Sequence, residues 1–175
     1  MRILVTGGVR SGKSTHAEAL VGDGPAVYVA AGPSPDVDTD PDWGARIAAH
    51  QARRPASWET LETQDLVQAL QGGADPVLVD CLGTWLAAVV DAADAWEQDS
   101  ATVHDLVSAR ADEFAAALRV CEQDVVVVTN EVGLGVVPEH RSGRLFRDLL
   151  GVVNMRVAAA CDEVHLVVAG RVLRL

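Results

Sequence analysis

The sequence predicts an α/β fold, a single domain with a mostly parallel sheet and helices on both faces. Three observations carry this. Strand-like and helix-like segments alternate from one end of the 175 residues to the other. The strand segments are continuous apolar runs, as expected of strands covered on both faces. The first of them leads through a glycine-rich turn directly into a helix.

Taken in order, Arg2-Ile3-Leu4-Val5-Thr6 reads as a buried strand and Lys13 to Val21 as a helix. Ala26 to Ala30 is a second strand. Asp42 to Ala52 and Gln64 to Leu70 carry helical patterns. Pro76-Val77-Leu78-Val79-Asp80 is a third strand, followed by a helix from Gly83 to Ala93. From Thr102 to Cys121 apolar residues recur at helical intervals: Val103, Leu106, Val107, Phe114, Leu118 and Cys121. Asp124 to Thr129 is a β-branched run, Ser142 to Ala160 a helix and Glu163 to Ala169 a strand. Gly170-Arg171 turns the chain into a last short strand ending at Leu175. Repeats, low-complexity tracts and dividing linkers are absent from the sequence, so one domain, 1–175, suffices. The irregular segments, Gly32 to Pro41 and Asn130 to Arg141, fall after strands, where parallel sheets hold their ligands.

Composition narrows the function classes. Apolar residues make up 49% of the chain, yet no run approaches the roughly 18 needed to cross a bilayer. Met1 to Val5 is too short for a secretory signal and enters an ordered motif, so a cytoplasmic protein is expected. Fourteen Lys and Arg against 25 Asp and Glu leave a net charge of -11. That field repels nucleic acids and anionic membranes but permits a local anion pocket built from backbone N–H groups. Cys81, Cys121 and Cys161 lack metal-ligand spacing and read as reduced core residues.

Gly7-Gly8-Val9-Arg10-Ser11-Gly12-Lys13-Ser14 has the P-loop pattern between a strand and a helix, making this a P-loop NTPase-type domain. Gly7 and Gly12 allow backbone angles that let successive N–H groups converge on phosphate oxygens. The helix N-terminus adds its partial positive charge. Lys13 is assigned to the terminal phosphates, and the Ser14 hydroxyl to Mg²⁺. An acidic partner for Mg²⁺ is expected at the end of a neighbouring strand. Asp80 fits, either as that partner or as the N-cap of the following helix, and Glu131 is a second candidate.

Further blocks are more specific: GGVRSGKSTHAEAL, YVAAG, RIAAHQARRPASWETLE, VDCLGTWL and VTNEVGLGVVPEHRSGRLFRDLLGVVN, in this order. Together they resemble the bifunctional adenosylcobinamide kinase/adenosylcobinamide-phosphate guanylyltransferase family of cobalamin biosynthesis. The resemblance implies phosphorylation of adenosylcobinamide with GTP or ATP, then transfer of GMP from GTP to the new phosphate through a guanylyl-histidine, releasing pyrophosphate. It places that histidine at His50, in Arg46-Ile47-Ala48-Ala49-His50, whose neutral imidazole suits attack on an α-phosphorus. It also implies nucleotide contacts at Ala30, Ala31, Gly32, Gln51, Ala52, Arg53, Arg54 and Glu62, and a homotrimer. Arg53 and Arg54 have the fork geometry that suits phosphate, and Glu62 can accept from a guanine edge. The sequence departs from the family pattern between Gly32 and Trp43, after Asp80-Cys81-Leu82, and at Ala169 to Leu175. Those departures bear on the corrinoid side more than on the nucleotide. Trp43, Trp58 and Trp85 are the aromatic residues to consider against a corrin ring.

The remaining histidines divide. His16 either borders the nucleotide or packs the helix, His104 is solvated, His140 lies in the Asn130 to Arg141 loop and either approaches substrate or does not, and His165 is a satisfied core or edge residue. If 142–160 is helical, Arg144, Arg147, Asp148, Gly151 and Asn154 share one face. That face is either solvated or forms an active-site wall or subunit contact. Two other functions fit a P-loop: a small-molecule kinase without guanylyl transfer, and a GTP-binding regulatory module. The second is disfavoured because the sequence has no Asn-Lys-x-Asp guanine-reading motif.

Overall fold

The computed structural model describes residues 1–32, 44, 45, 48, 51–71 and 73–175. In chain order the elements are β1 (Arg2–Gly7), α1 (Lys13–Val21), β2 (Ala26–Ala30), β3 (Trp58–Glu62), α2 (Leu66–Ala69), β4 (Val77–Asp80), α3 (Leu82–Ala92), α4 (Ser100–Val120), β5 (Val125–Val128), α5 (Arg141–Ala158), β6 (Glu163–Val168) and β7 (Arg171–Arg174). Residues 44, 45, 48 and 51–53 are also helical. They fall in or just beyond the helix expected from Asp42 to Ala52, much of which lies outside the described residues.

The strands form one sheet in the order β3-β2-β4-β5-β1-β6-β7. Every pairing is parallel except β6 with β7, which is antiparallel. Successive side chains of each strand feed opposite faces, and two apolar cores result. Leu4, Val77, Val79, Val125 and Val127 face α3, α4 and α5, packing with Leu86, Phe114 and Leu149. Ile3, Val5, Leu78, Val126 and Val128 face the other way, toward Ala17 and the partly buried Leu20 and Val21 of α1. Full burial of each such side chain stabilises the fold by about 1.5–3 kcal/mol, which is why the runs are apolar throughout.

Two features depart from the sequence reading. Trp58–Glu62 is an edge strand, paired in parallel with β2, where no strand was expected. Only Trp58 is buried and the other four residues are exposed, so its pattern carries little apolar signal. The second departure concerns Asp80. Its strand, β4, is separated from β1 by β5, so Asp80 does not lie on a strand neighbouring the P-loop strand. Nor does it cap α3. Cys81 holds the N-cap position, where Thr84 Oγ1 receives the Cys81 N–H at 3.4 Å and donates to the Cys81 carbonyl at 2.9 Å.

Local signals fix the helix starts. Asp99 accepts from the N–H groups of Ala101 and Thr102 and caps α4. Asp65 accepts from Gln68 N at 2.9 Å and shortens the helix expected over 64–70 to Leu66–Ala69. The α4 and α5 helices otherwise match their expected spans to within two residues at each end.

Candidate active site

The turn after β1 is held by its glycines and by the hairpin of β6 and β7. Gly12 has φ +96°, a left-handed conformation open to glycine at no steric cost. Gly7 is required for space: a Cβ there would stand 2.5 Å from the Val167 carbonyl oxygen and 2.6 Å from Ser11 Oγ. Arg10 is also left-handed, at φ 57°. Across the turn Ser11 N donates to Gly8 O at 3.3 Å, and Gly170 N donates to Ser11 O at 2.8 Å. Lys13 Nζ folds back onto the Gly8 carbonyl at 3.3 Å. The hydroxyls of Thr6 and Ser11 are buried around this turn without a hydrogen-bond partner. Val9, by contrast, is 71% exposed at its tip.

The turn therefore has the shape the motif requires. The N-terminus of α1 stands at the carboxyl edge of the sheet, where such a helix end favours an anion.

Beside it, Ala30 of β2 stands in register with Asp80 on one side and Glu62 on the other. Three of the expected contact positions thus share one level at the carboxyl edge. Ala31 is fully buried and Gly32 half-buried. Glu62 is exposed at the end of β3. Asp80 is half-buried and accepts from the Tyr28 hydroxyl at 3.2 Å. That contact, together with burial, keeps the phenol protonated far above its ordinary range, burial being the larger cause. Although β5 intervenes, α1 packs over β5 and β4 as well as β1. The helix carrying Ser14 therefore spans the gap towards the strand of Asp80.

The two arginines expected on phosphate make contacts within the protein. Arg53 pairs with Glu18 of α1 through Nη2 at 3.0 Å and Nε at 3.4 Å, and Glu18 is the first cause of its raised pKa. The Arg54 guanidinium lies 3.3 Å over the Tyr28 ring and donates to Thr60 at 3.0 Å. Gln51 and Ala52 are exposed on the same helical turn. Arg53 and Arg54 thereby dock this segment on α1, β2 and β3. His50, immediately before it, lies outside the described residues, as does Trp43.

Other expectations resolve individually. Glu131, at the end of the strand next to β1, accepts from Gly133 N at 2.9 Å, while its own N–H donates to Gly7 O at 3.1 Å. His104 and His140 are exposed. The α5 face splits. Arg147 donates to Gly133 O at 2.7 Å and Arg144 to Glu139 O at 2.6 Å. Asn154 accepts from Thr129 Oγ1 at 2.6 Å and donates to Asn130 O at 3.1 Å. Asp148 and Gly151 are exposed. The face thus clamps the loop after β5, a role the sequence reading did not include. Trp58 and Trp85 are core residues whose indoles donate to Gly22 O and Gln64 O. The three cysteines are free but only partly buried, at the margins of the cores. Tyr28 was missed, since a tyrosine inside an apolar strand reads as core.

The model of a family described as cobinamide kinase / cobinamide phosphate guanyltransferase matches residues 3–175. The chain belongs to that family. It is 44% identical to the bifunctional adenosylcobalamin biosynthesis protein CobU of Salmonella typhimurium over 97% of each chain. Against the protein of the same name from Escherichia coli the identity is 42%, again over 97% of each. It is 36% identical to the bifunctional adenosylcobalamin biosynthesis protein CobP of Pseudomonas aeruginosa, over 97% of this chain and 94% of that one. The enzyme is accordingly a kinase and a guanyltransferase on one α/β domain. Among the described residues no helix is long and apolar enough to cross a membrane.

Proposed function

We propose that the enzyme runs both reactions at the carboxyl edge of the sheet, with the cradle of residues 7–14 and the segment ending in Arg53 and Arg54 serving the same nucleotide. The observation that carries this is the strand–turn–helix of residues 2–21. Its backbone is shaped for phosphate, with the arginine segment docked on the same helix through Glu18.

In the first reaction ATP or GTP lies with its phosphates in the cradle. Lys13 neutralises the charge that develops on the transferred group; the hydroxyl oxygen of cobinamide forms a bond to the terminal phosphorus and gives up its proton to solvent as the bond to the nucleoside diphosphate breaks. In the second, a lone pair of the His50 imidazole attacks the α-phosphorus of GTP. An N–P bond forms and the bond to pyrophosphate breaks. A phosphate oxygen of cobinamide phosphate then attacks the same phosphorus, forming the diphosphate and freeing the imidazole. Glu62, exposed beside Ala30, is the residue we assign to accept from a guanine edge.

The oxygen donors of Ser14 and Asp80 suit Mg²⁺, a hard cation. They would hold it, and bound there it would neutralise phosphate charge. Asp80, already receiving one hydrogen bond from Tyr28, keeps a fixed carboxylate orientation.

The test is incubation with GTP labelled at the α-phosphate. The unaltered protein is expected to retain label after denaturation, lost in acid and stable in base, and His50→Ala to retain none. Label on both proteins would sink the assignment of His50. Absence from both, with GTP binding intact, would favour a kinase without guanylyl transfer.

We also propose a homo-oligomer, a trimer on the family resemblance, working in the cytoplasm. Leu134, Val136 and Val137 are 86%, 95% and 60% exposed in the loop that α5 clamps. An apolar cluster of that kind marks an interaction surface. Val136→Glu is expected to lower the mass measured by sedimentation velocity. An unchanged mass, or a monomer before substitution, would refute the surface or the oligomer respectively.

A further inference from the structure

The hydrogen bond from the Tyr28 hydroxyl to Asp80 leaves the ring of that residue without a role. Tyr28 is 4% exposed in β2, on the sheet face that packs against α1. Its ring stacks on Trp58, with centroids 6.5 Å apart and planes 27° apart. Trp58 is itself fixed, its indole donating to Gly22 O at 3.1 Å while Ser57 Oγ donates to Asp23 O at 2.8 Å. Held by Trp58 and by its own hydroxyl, the ring offers a π-face to the Arg54 guanidinium, 3.3 Å from its centroid.

That face orients Arg54. Arg54 Nη1 donates to Thr60 Oγ1 at 3.0 Å, but among the described residues its Nε is buried with no hydrogen-bond partner. A guanidinium with so few hydrogen bonds takes its orientation from the aromatic surface beneath it. Arg54 N in turn donates to Gln51 O at 3.2 Å and closes the last turn of the segment. The other anchor of the segment is the ion pair of Arg53 with Glu18. The Arg53 side chain is 42% exposed there, so solvent screens the pair. The stack on Tyr28 is therefore the better shielded of the two anchors. In the chain Gln51 directly follows His50.

The two reactions depend on this anchor unequally. Phosphoryl transfer needs the terminal phosphate held in the cradle, whose bracing comes from Val167 and Gly170 of the β6–β7 hairpin. Guanylyl transfer needs, in addition, an imidazole lone pair in line with the α-phosphorus and opposite the departing pyrophosphate. An error of about 1 Å in such an approach costs about a hundredfold in rate.

We propose that Tyr28 is a positioning residue for the second reaction. Through Arg54 its ring fixes the segment that follows His50, so that loss of the ring leaves a kinase with little guanylyl transfer. This rests on His50 being the guanylylated residue.

The experiment follows two rates at saturating GTP and Mg²⁺, where weaker nucleotide binding drops out. One is uptake of α-labelled GMP by the protein alone, the other transfer of γ-labelled phosphate to cobinamide. The proteins are the full unaltered chain, Tyr28→Phe, Tyr28→Leu and Arg54→Leu. Tyr28→Leu is expected to slow uptake at least about tenfold and to leave phosphorylation within about threefold. Tyr28→Phe keeps the ring and is expected to take up label within about threefold of the unaltered rate. Arg54→Leu leaves the buried ring in place, so it carries the comparison if Tyr28→Leu does not fold, and the same split is expected of it. Because both substitutions act on one contact, the double variant should be no slower than the slower single one. Uptake and phosphorylation falling together, equal losses in Tyr28→Phe and Tyr28→Leu, or additive effects of the two leucine substitutions would each overturn the proposal. Absence of uptake in the unaltered chain would instead sink the guanylyl-histidine reading. Hydrogen exchange at the Arg54 amide decides the anchoring independently: Tyr28→Leu should speed it at least about tenfold, and an unchanged rate would refute it.

Discussion

The steric demand at Gly7 is the most exacting at the level of single residues. Gly12 needs its glycine for a backbone angle, whereas Gly7 needs it because backbone and side chain already occupy the Cβ position. Val167 O belongs to a paired strand and cannot yield cheaply. Gly7→Ala is therefore expected to destabilise the protein by about 1–3 kcal/mol, as overpacking does, and to weaken GTP binding by at least about tenfold. Calorimetric melting and equilibrium binding measure the two effects. Unaltered binding would mean that the hairpin can retreat. Tyr28 illustrates a different point at the same scale. Its ring is packed on Trp58 and covered by Arg54, and its hydroxyl reaches Asp80. One side chain thereby joins the edge of the sheet, the arginine segment and the acidic group.

Among the elements, α5 is what holds the loop after β5 in place. Asn154 bonds Thr129, whose side chain is completely buried, and Asn130 O, while Arg147 reaches Gly133 O. Asn154→Ala leaves the Thr129 hydroxyl and a backbone carbonyl unpaired, at a cost of about 2 kcal/mol. For a chain of this size that corresponds to a Tm lower by roughly 4–8 °C, measurable by thermal unfolding. A Tm within 1 °C of the unaltered value would mean that solvent replaces these bonds. These elements also mark what the sequence could and could not reveal. The apolar runs of β1, β4 and β5, the periodicity of α4 and the P-loop glycines were legible because burial and backbone geometry restrict residue choice there. Trp58–Glu62 was not, because an edge strand with one buried side chain imposes almost no pattern. The position of Asp80 relative to β1 was not either, since strand order is set by packing between segments far apart in the chain. The clamp formed by Arg144, Arg147 and Asn154 was visible as a polar stripe, but its partners were not.

The response of the whole molecule to acid follows from groups distributed across the sheet. Asp162 is held below its ordinary range by hydrogen bonds from Arg2, which reach its two oxygens at 2.6 and 3.2 Å. Glu163 is held down by His165. For both, the unfolded chain binds protons first. Their contribution is therefore complete above the ordinary carboxylate range of about 4 and is lost as pH falls through the lowered values. His16 works in the same direction at higher pH. Its pKa is lowered on folding, so the unfolded chain is protonated first below about 6.5, and stability declines from there. Urea midpoints measured between pH 7.5 and 3 are expected to fall in two stages, with Asp162→Asn shrinking the lower stage and His16→Gln the upper. A flat profile down to pH 4 would contradict the upper stage. The turn at residues 7–14 follows β1, yet that strand lies between β5 and β6, and Gly170 closes the turn through Ser11. A ribosome-bound chain must thus extend past residue 170 and clear the exit tunnel before its phosphate turn is braced. Nascent chains stalled before that point should not engage GTP, and nucleotide retention would report that translation has passed the hairpin.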